Sequence, residues 1–157
     1  MSEKVVIDAE GAILGRLSTN IAKRLLTGET VNVVNVEKII ISGKPESIIA
    51  RYKERLGIRS KYNPLRGPFH YRRPDRFVRR TIRGMLPFKK PKGKDAYHRL
   101  KCHISVPEEF AKAKKITVPE ADSSKLTVKR LSVGDLCKQL GWNYDEKLGP
   151  TIKSDDN

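Results

Sequence analysis

Two β-branched runs bracket one amphipathic helix near the start of the chain, and that order restricts the fold more than any other feature. Val5-Val6-Ile7 ends at Asp8 and predicts a buried strand. Gly11 turns the chain. Leu14, Leu17, Ile21 and Leu25, with Ala22 and Leu26, then recur at three- and four-residue spacing, which predicts a helix with one apolar face. Gly28 suits the left-handed position that ends it. Val31 to Val36 predicts the next strand, and Glu37-Lys38 separates it from Ile39-Ile40-Ile41. Strand, helix, strand in this order is a βαβ unit, which implies parallel strands joined by a right-handed crossover. Ser42-Gly43-Lys44-Pro45 opens a second helix, with proline near its start and an apolar stripe of Ile48, Ile49, Tyr52 and Leu56. At 157 residues the chain fits one domain. A domain of that size hides roughly 68–70% of its unfolded surface.

Charge divides the chain differently. The net charge is +15, and the segment from Arg51 to His103 holds 18 Lys/Arg against three acids, Glu54, Asp75 and Asp95. The rest of the chain therefore sums to zero. An ordinary solvated face mixes signs, so this concentration points to a polyanion, above all nucleic acid. Nine of the chain's 20 Gly and Pro and seven of its ten aromatics fall in the same segment, interleaved with the cations. That composition predicts shaped loops rather than a free tail. No helix-turn-helix, zinc finger or basic zipper pattern is present. Arginine and aromatic groups on irregular loops suit RNA phosphates, 2′-hydroxyls and unstacked bases.

One piece of the basic segment is helical by periodicity, Pro74 to Leu86. Arg76, Arg79, Arg80 and Arg83 fall within an arc of about 100°. Val78, Ile82, Met85 and Leu86 fall largely opposite, so the helix is expected to pack on the core and show an arginine stripe outward. A short helix is expected at Lys94 to Lys101, and a strand at Cys102 to Val106. In the C-terminal third, Ile116 to Val118 and Leu126 to Val128 suggest extended segments. Ser132-Val133-Gly134-Asp135 is a capping-box variant that starts a helix carrying Leu136 and Leu140 and ending at Gly141. Trp142 and Tyr144 are expected to anchor that helix, and Ser154 to Asn157 to fray.

Other chemistry is poorly supported. Gly11 to Ser18, GAILGRLS, follows a strand and opens a helix, but its glycines are one residue too close for a P-loop and Arg16-Leu17 replaces the Lys-Ser pair. A plain βα turn is the expectation. His70, His98 and His103 lack the nucleophile and orienting acid that catalysis requires. Asp8 and Glu37 lie near strand ends, where α/β enzymes hold carboxylates, and are expected to shape turns instead. Cys102 and Cys137 are too few for a disulfide scaffold and show no metal-ligand spacing. Neither a signal pattern nor an apolar run of membrane-spanning length is present. The expectation is a soluble cytoplasmic protein without catalytic residues, metal, cofactor, membrane contact or small-molecule substrate.

Several motifs together resemble a known family. They are Asp8-Ala9 with Leu14-Gly15-Arg16-Leu17 and Ile21-Ala22-Lys23; Val33 to Ile39 with Ser42-Gly43; Gly67-Pro68-x-His70 with Arg72 and Pro74; and Arg83-Gly84-Met85-Leu86-Pro87 with Lys92-Gly93-Lys94, Ala96 and Arg99-Leu100-Lys101. In this order, over about residues 4–106, they resemble the large-subunit ribosomal protein family L-thirteen. Val118-Pro119, Leu126 to Leu131 and Leu140-Gly141-Trp142 resemble its archaeal and eukaryotic branch, and the chain's length favours the archaeal type. The resemblance implies a three-layer α/β/α fold around a parallel sheet of about four strands. The α/β core would be residues 1–56 and about 102–118, the basic RNA-binding insertion 57–101, and a short C-terminal extension 119–157. It implies a structural role without catalysis, in which the chain binds large-subunit ribosomal RNA, meets neighbouring ribosomal proteins and supports early subunit assembly. The RNA-facing residues it implies are Arg66, His70, Arg72, Arg73, Arg76, Arg80, Arg83, Lys89, Lys90, Lys92, Lys94, Arg99 and Lys101, to which the helical count adds Arg79. A translational regulator that binds messenger RNA and an RNA-acting α/β enzyme are the alternatives.

Overall fold

The computed structural model describes residues 4–143, with Lys125 described by its backbone alone. Tyr144 and Ser154 to Asn157 therefore lie outside the described residues. The opening unit forms as its pattern requires. Strand β1 (Lys4–Asp8) leads through helix α1 (Leu14–Thr27) to strand β2 (Thr30–Val34), and β1 and β2 pair in parallel with Val5 opposite Val31 and Ile7 opposite Val33. Gly28 ends α1 at φ +108°, the left-handed conformation that glycine adopts without steric cost. Strand β2 stops two residues earlier than its apolar run. Asn35 turns left-handed at φ +57°, and Val36–Lys38 forms a 3-10 turn with Val36 buried.

After β3 (Ile40–Ser42) come α2 (Pro45–Gly57), α3 (Pro74–Met85), α4 (Pro91–His98) and β4 (Leu100–Cys102). The one-turn α5 (Glu108–Ala111) and β5 (Lys115–Ile116) follow, then β6 (Arg130–Ser132) and α6 (Val133–Gln139). The main sheet is all parallel in the order β4-β2-β1-β5. Helices α1, α3 and α4 pack together; the right-handed rule for parallel crossovers puts them over one face and the return from β4 past β1 to β5 over the other, giving a three-layer α/β/α fold.

Several boundaries differ from those the sequence predicts. The helix expected at Lys94 to Lys101 begins at Pro91, whose ring suits the first helical position, and ends at His98. The strand expected at Cys102 to Val106 is Leu100–Cys102, because Leu100 is fully buried opposite Val31 while Ser105 turns left-handed at φ +57°. Leu126 to Val128 is not a strand. Arg130–Ser132 is, paired antiparallel with β3 in a separate two-stranded sheet. Of the Ile39 to Ile41 run, Ile40 and Ile41 thus lie in this second sheet, and Ile39 is buried just before it.

The core runs from the sheet into α1, α3 and α6. Ile7, Leu17, Ile21, Leu25, Val31, Val33, Ile82, Leu100 and Leu136 are fully buried in one cluster. Residues 119–143 belong to this body. Ile13 N–H donates to the Ala121 carbonyl, Ser123 N–H to Gly11, and Val133 N–H to Ile39. The Ser132 hydroxyl accepts from the Asp135 N–H at 3.0 Å, which is the expected cap of α6. Trp142 is half-buried against the cluster. Both cysteines are free, and burial pushes the Cys137 thiol up to about 12, so it serves as a small apolar core residue.

Candidate nucleic-acid interface

Helix α3 carries the site because one side of it is anchored. Phe77, Val78 and Ile82 are buried against α1 and the sheet. Burial of side chains this size stabilises by roughly 1.5–3 kcal/mol each, enough to hold the helix against a charged outer face. Arg76 and Arg80 point into solvent. Arg79 and Arg83 are half-buried because α4 and the turn before it place rings beneath them. The Arg79 guanidinium lies 4.5 Å from the centre of the Tyr97 ring and that of Arg83 3.9 Å from Phe88. Those two rings meet edge to face at 5.4 Å. Burial raises the Tyr97 pKa, against the pull of Arg79, so the ring stays neutral under its cation. Stacking limits the freedom of both arginines while leaving N–H groups for an anion. Met85, expected on the packed side, is 41% exposed at the helix end, with its sulfur 3.6 Å from the Thr19 hydroxyl.

The approach from α3 to α4 depends on Gly93. A Cβ there would lie far inside contact distance of the Pro87 carbonyl oxygen, so only glycine lets α4 fold back this tightly. Lys89, Lys90, Lys92 and Lys94 all stand exposed around this turn. At the other end of α3, Arg73 pairs with Asp75 through two bonds, 3.2 Å from Nε and 3.1 Å from Nη2. Arg73, Arg76, Arg79 and Lys101 share a cleft of about 680 Å³ with His103. The His103 pKa is lowered, first by burial and then by Lys101, so the ring enters that cleft neutral.

The remaining expected residues are held by other elements. Arg66 is exposed in a 3-10 turn, Pro64–Arg66. Arg72 lies beside the end of α6, its Nη1 3.4 Å from where a Gly141 Cβ would sit. Arg99 is half-buried and donates from Nη2 to the Leu25 carbonyl at 2.8 Å, capping the end of α1. His70 faces a second cleft, with Arg80 and Arg83 on the same rim. Arg55 also belongs to that rim, its guanidinium 5.3 Å above the Tyr52 ring. The sequence reading missed Arg55, although its place one turn beyond an aromatic on the α2 stripe was a usable signal.

The carboxylates near the strand ends shape turns. Asp8 accepts from the Glu10 N–H at 3.1 Å and from Asn35 Nδ2 at 2.9 Å, and Glu37 accepts from the Ser105 N–H at 3.0 Å. Glu10 pairs with Lys38 at 3.0 Å and raises the lysine's pKa. Ser18, at the end of the Gly11 to Ser18 stretch, is fully buried on α1. Among the described residues, no group of three or more His, Cys, Asp or Glu could hold a metal, and no helix is long and apolar enough to cross a membrane.

Residues 2–109 match the family described as Ribosomal protein L13. The chain belongs to that family. The matched span includes every candidate RNA-facing residue. A Methanocaldococcus jannaschii protein named large ribosomal subunit protein uL13 is 48% identical over 141 residues, covering 88% of this chain and 98% of the relative. Proteins of the same name from Methanococcoides burtonii and Aeropyrum pernix are 44% and 39% identical, over 88% and 90% of this chain and 99% and 92% of their own. These archaeal similarities extend past residue 109 into the C-terminal segment, which the structure ties to the L13 body.

Proposed function

We infer that this chain is a structural constituent of the large ribosomal subunit, binding its RNA through the α3–α4 face and supporting early subunit assembly. The observation that carries this reading is the pair of ring-stacked arginines, Arg79 and Arg83, beside the free Arg76 and Arg80 on a helix whose other side is core. A helix that holds four cations in one arc, two of them preoriented, matches closely spaced phosphates of a folded RNA. The exposed lysines of the α3–α4 turn extend the same surface. The α/β body is the scaffold for it. Membership of a ribosomal protein family, with the strand-end carboxylates occupied in turns, disfavours an enzyme. Neighbouring large-subunit proteins are the other expected partners, and Arg66 and Arg72, both exposed and outside α3 and α4, are candidates to meet them or a second RNA helix.

The test is sedimentation of cell lysate through a sucrose gradient, with tagged chain followed into the large-subunit peak. Arg76→Ala with Arg80→Ala is expected to reduce incorporation while leaving thermal unfolding unchanged, since both side chains are exposed. Full incorporation of that variant would overturn the assignment of this face.

A further inference from the structure

Helix α2 is only half covered. None of its residues is fully buried, and Ile48, Ile49, Tyr52 and Leu56 reach the core only partly. Between α2, the 68–71 segment and α3 lies an open cleft of about 690 Å³. Its floor is aromatic, with Tyr52 and Phe77 edge to face at 5.3 Å. Phe69 and Tyr71 stand at its mouth, 70% and 40% exposed. Its rim is cationic, with Arg55, His70, Arg80 and Arg83 and no carboxylate among the lining residues. Rings held in water beside unopposed cations need a partner that offers both a flat apolar face and negative charge. A second copy of this chain, at +15, would bring like charge, and an apolar protein segment would leave the rim unmatched. A nucleotide supplies both properties, a base for the rings and phosphates for the rim.

We propose that this cleft receives an unstacked base from a single-stranded stretch of the bound RNA, stacked on Phe69 and Tyr71 with its flanking phosphates on Arg55 and Arg80. The inference rests on the RNA-binding reading above and adds a selectivity that the arginine stripe alone does not provide, for single strand over duplex. Stacking on rings tolerates any base, because every base has a π-face.

The test uses the full chain, a ten-nucleotide single-stranded RNA with one central 2-aminopurine, and the same strand in a blunt duplex. Binding is expected to change the 2-aminopurine fluorescence in the single strand and not in the duplex. Phe69→Ala with Tyr71→Ala is expected to weaken single-strand binding on the order of tenfold or more, from the usual strength of base–aromatic stacking, and to leave duplex binding and thermal unfolding unchanged. Phe69→Leu with Tyr71→Leu, which keeps apolar bulk without a π-face, is expected to lose as much. Equal loss for both RNAs, no loss, or full recovery by leucine would overturn the proposal. If the alanine variant binds both RNAs normally but is absent from large subunits, a protein segment occupies the cleft and the proposal fails. Binding of both RNAs that is insensitive to salt would instead overturn the RNA-binding reading itself.

Discussion

Two glycines close together in the sequence stand in opposite surroundings. Gly93 is buried, and a Cβ there would strike the Pro87 carbonyl, a backbone group that cannot rotate away. Gly93→Ala is expected to destabilise the fold by about 1–3 kcal/mol, the usual range for forced overpacking, read by urea denaturation. Gly84 sits exposed in α3, and a Cβ on it would meet nothing within 4 Å. Gly84→Ala is therefore expected to stabilise the free protein, by up to about 1 kcal/mol from helix propensity, in the same assay. The His103 ring, tilted at 53° to that of Phe110 with the ring centres 5.4 Å apart, carries a pH dependence. Burial and Lys101 lower its pKa from the ordinary 6.5, against the opposing charges of Glu109 and Asp75. The unfolded chain then binds the proton more readily than the folded one, so this contribution is present above pH 6.5 and is lost as pH falls through the lowered value. His103→Leu is expected to flatten that part of the stability–pH curve, measured by denaturation between about pH 7.5 and 5.

At the scale of elements, the arginine stripe is two pairs rather than four equals. Arg76 and Arg80 are free, while Arg79 and Arg83 rest on rings supplied from outside α3. Replacing the second pair with alanine is expected to lower both RNA affinity and melting temperature, because each loses a cation–π contact of roughly 0.5–2 kcal/mol. Replacing the first pair lowers affinity alone, and paired thermal melts and binding curves distinguish the two. Helix α2 differs in another way. With no fully buried side chain, its amides are expected to exchange with deuterium well before those of α1, whose Leu17, Ile21 and Leu25 are fully buried. Exchange as slow as that of α1 would contradict this order.

For the whole molecule, the concentration of positive charge between Arg51 and His103 predicts a binding constant governed by salt. If about 6–10 phosphates are contacted, affinity for an RNA fragment is expected to fall by roughly 10³–10⁵ between 50 and 200 mM salt. Filter binding across that range gives the slope, and Arg76→Ala is expected to reduce it by about one contact. The clefts on either side of α3 belong to this scale, since each gathers residues from elements distant in the chain.

Much of this was legible in the amino-acid order, because local chemistry decides it. The βαβ start, the ends of α1 and α6, and the arginine arc follow from periodicity and capping, which act within a few residues. The concentration of charge from Arg51 to His103 is a property of composition that no fold can remove. Tertiary structure decided the rest. It paired Ile40–Ser42 with Arg130–Ser132 in a separate two-stranded sheet, because pairing depends on which distant strand arrives alongside. It placed Tyr97 and Phe88 beneath two arginines and turned Arg99 inward to α1. It also left Phe69 and Tyr71 open beside Tyr52. Charge and periodicity specify which face of a helix is basic, but only packing across the chain decides which cations are held and which rings remain uncovered.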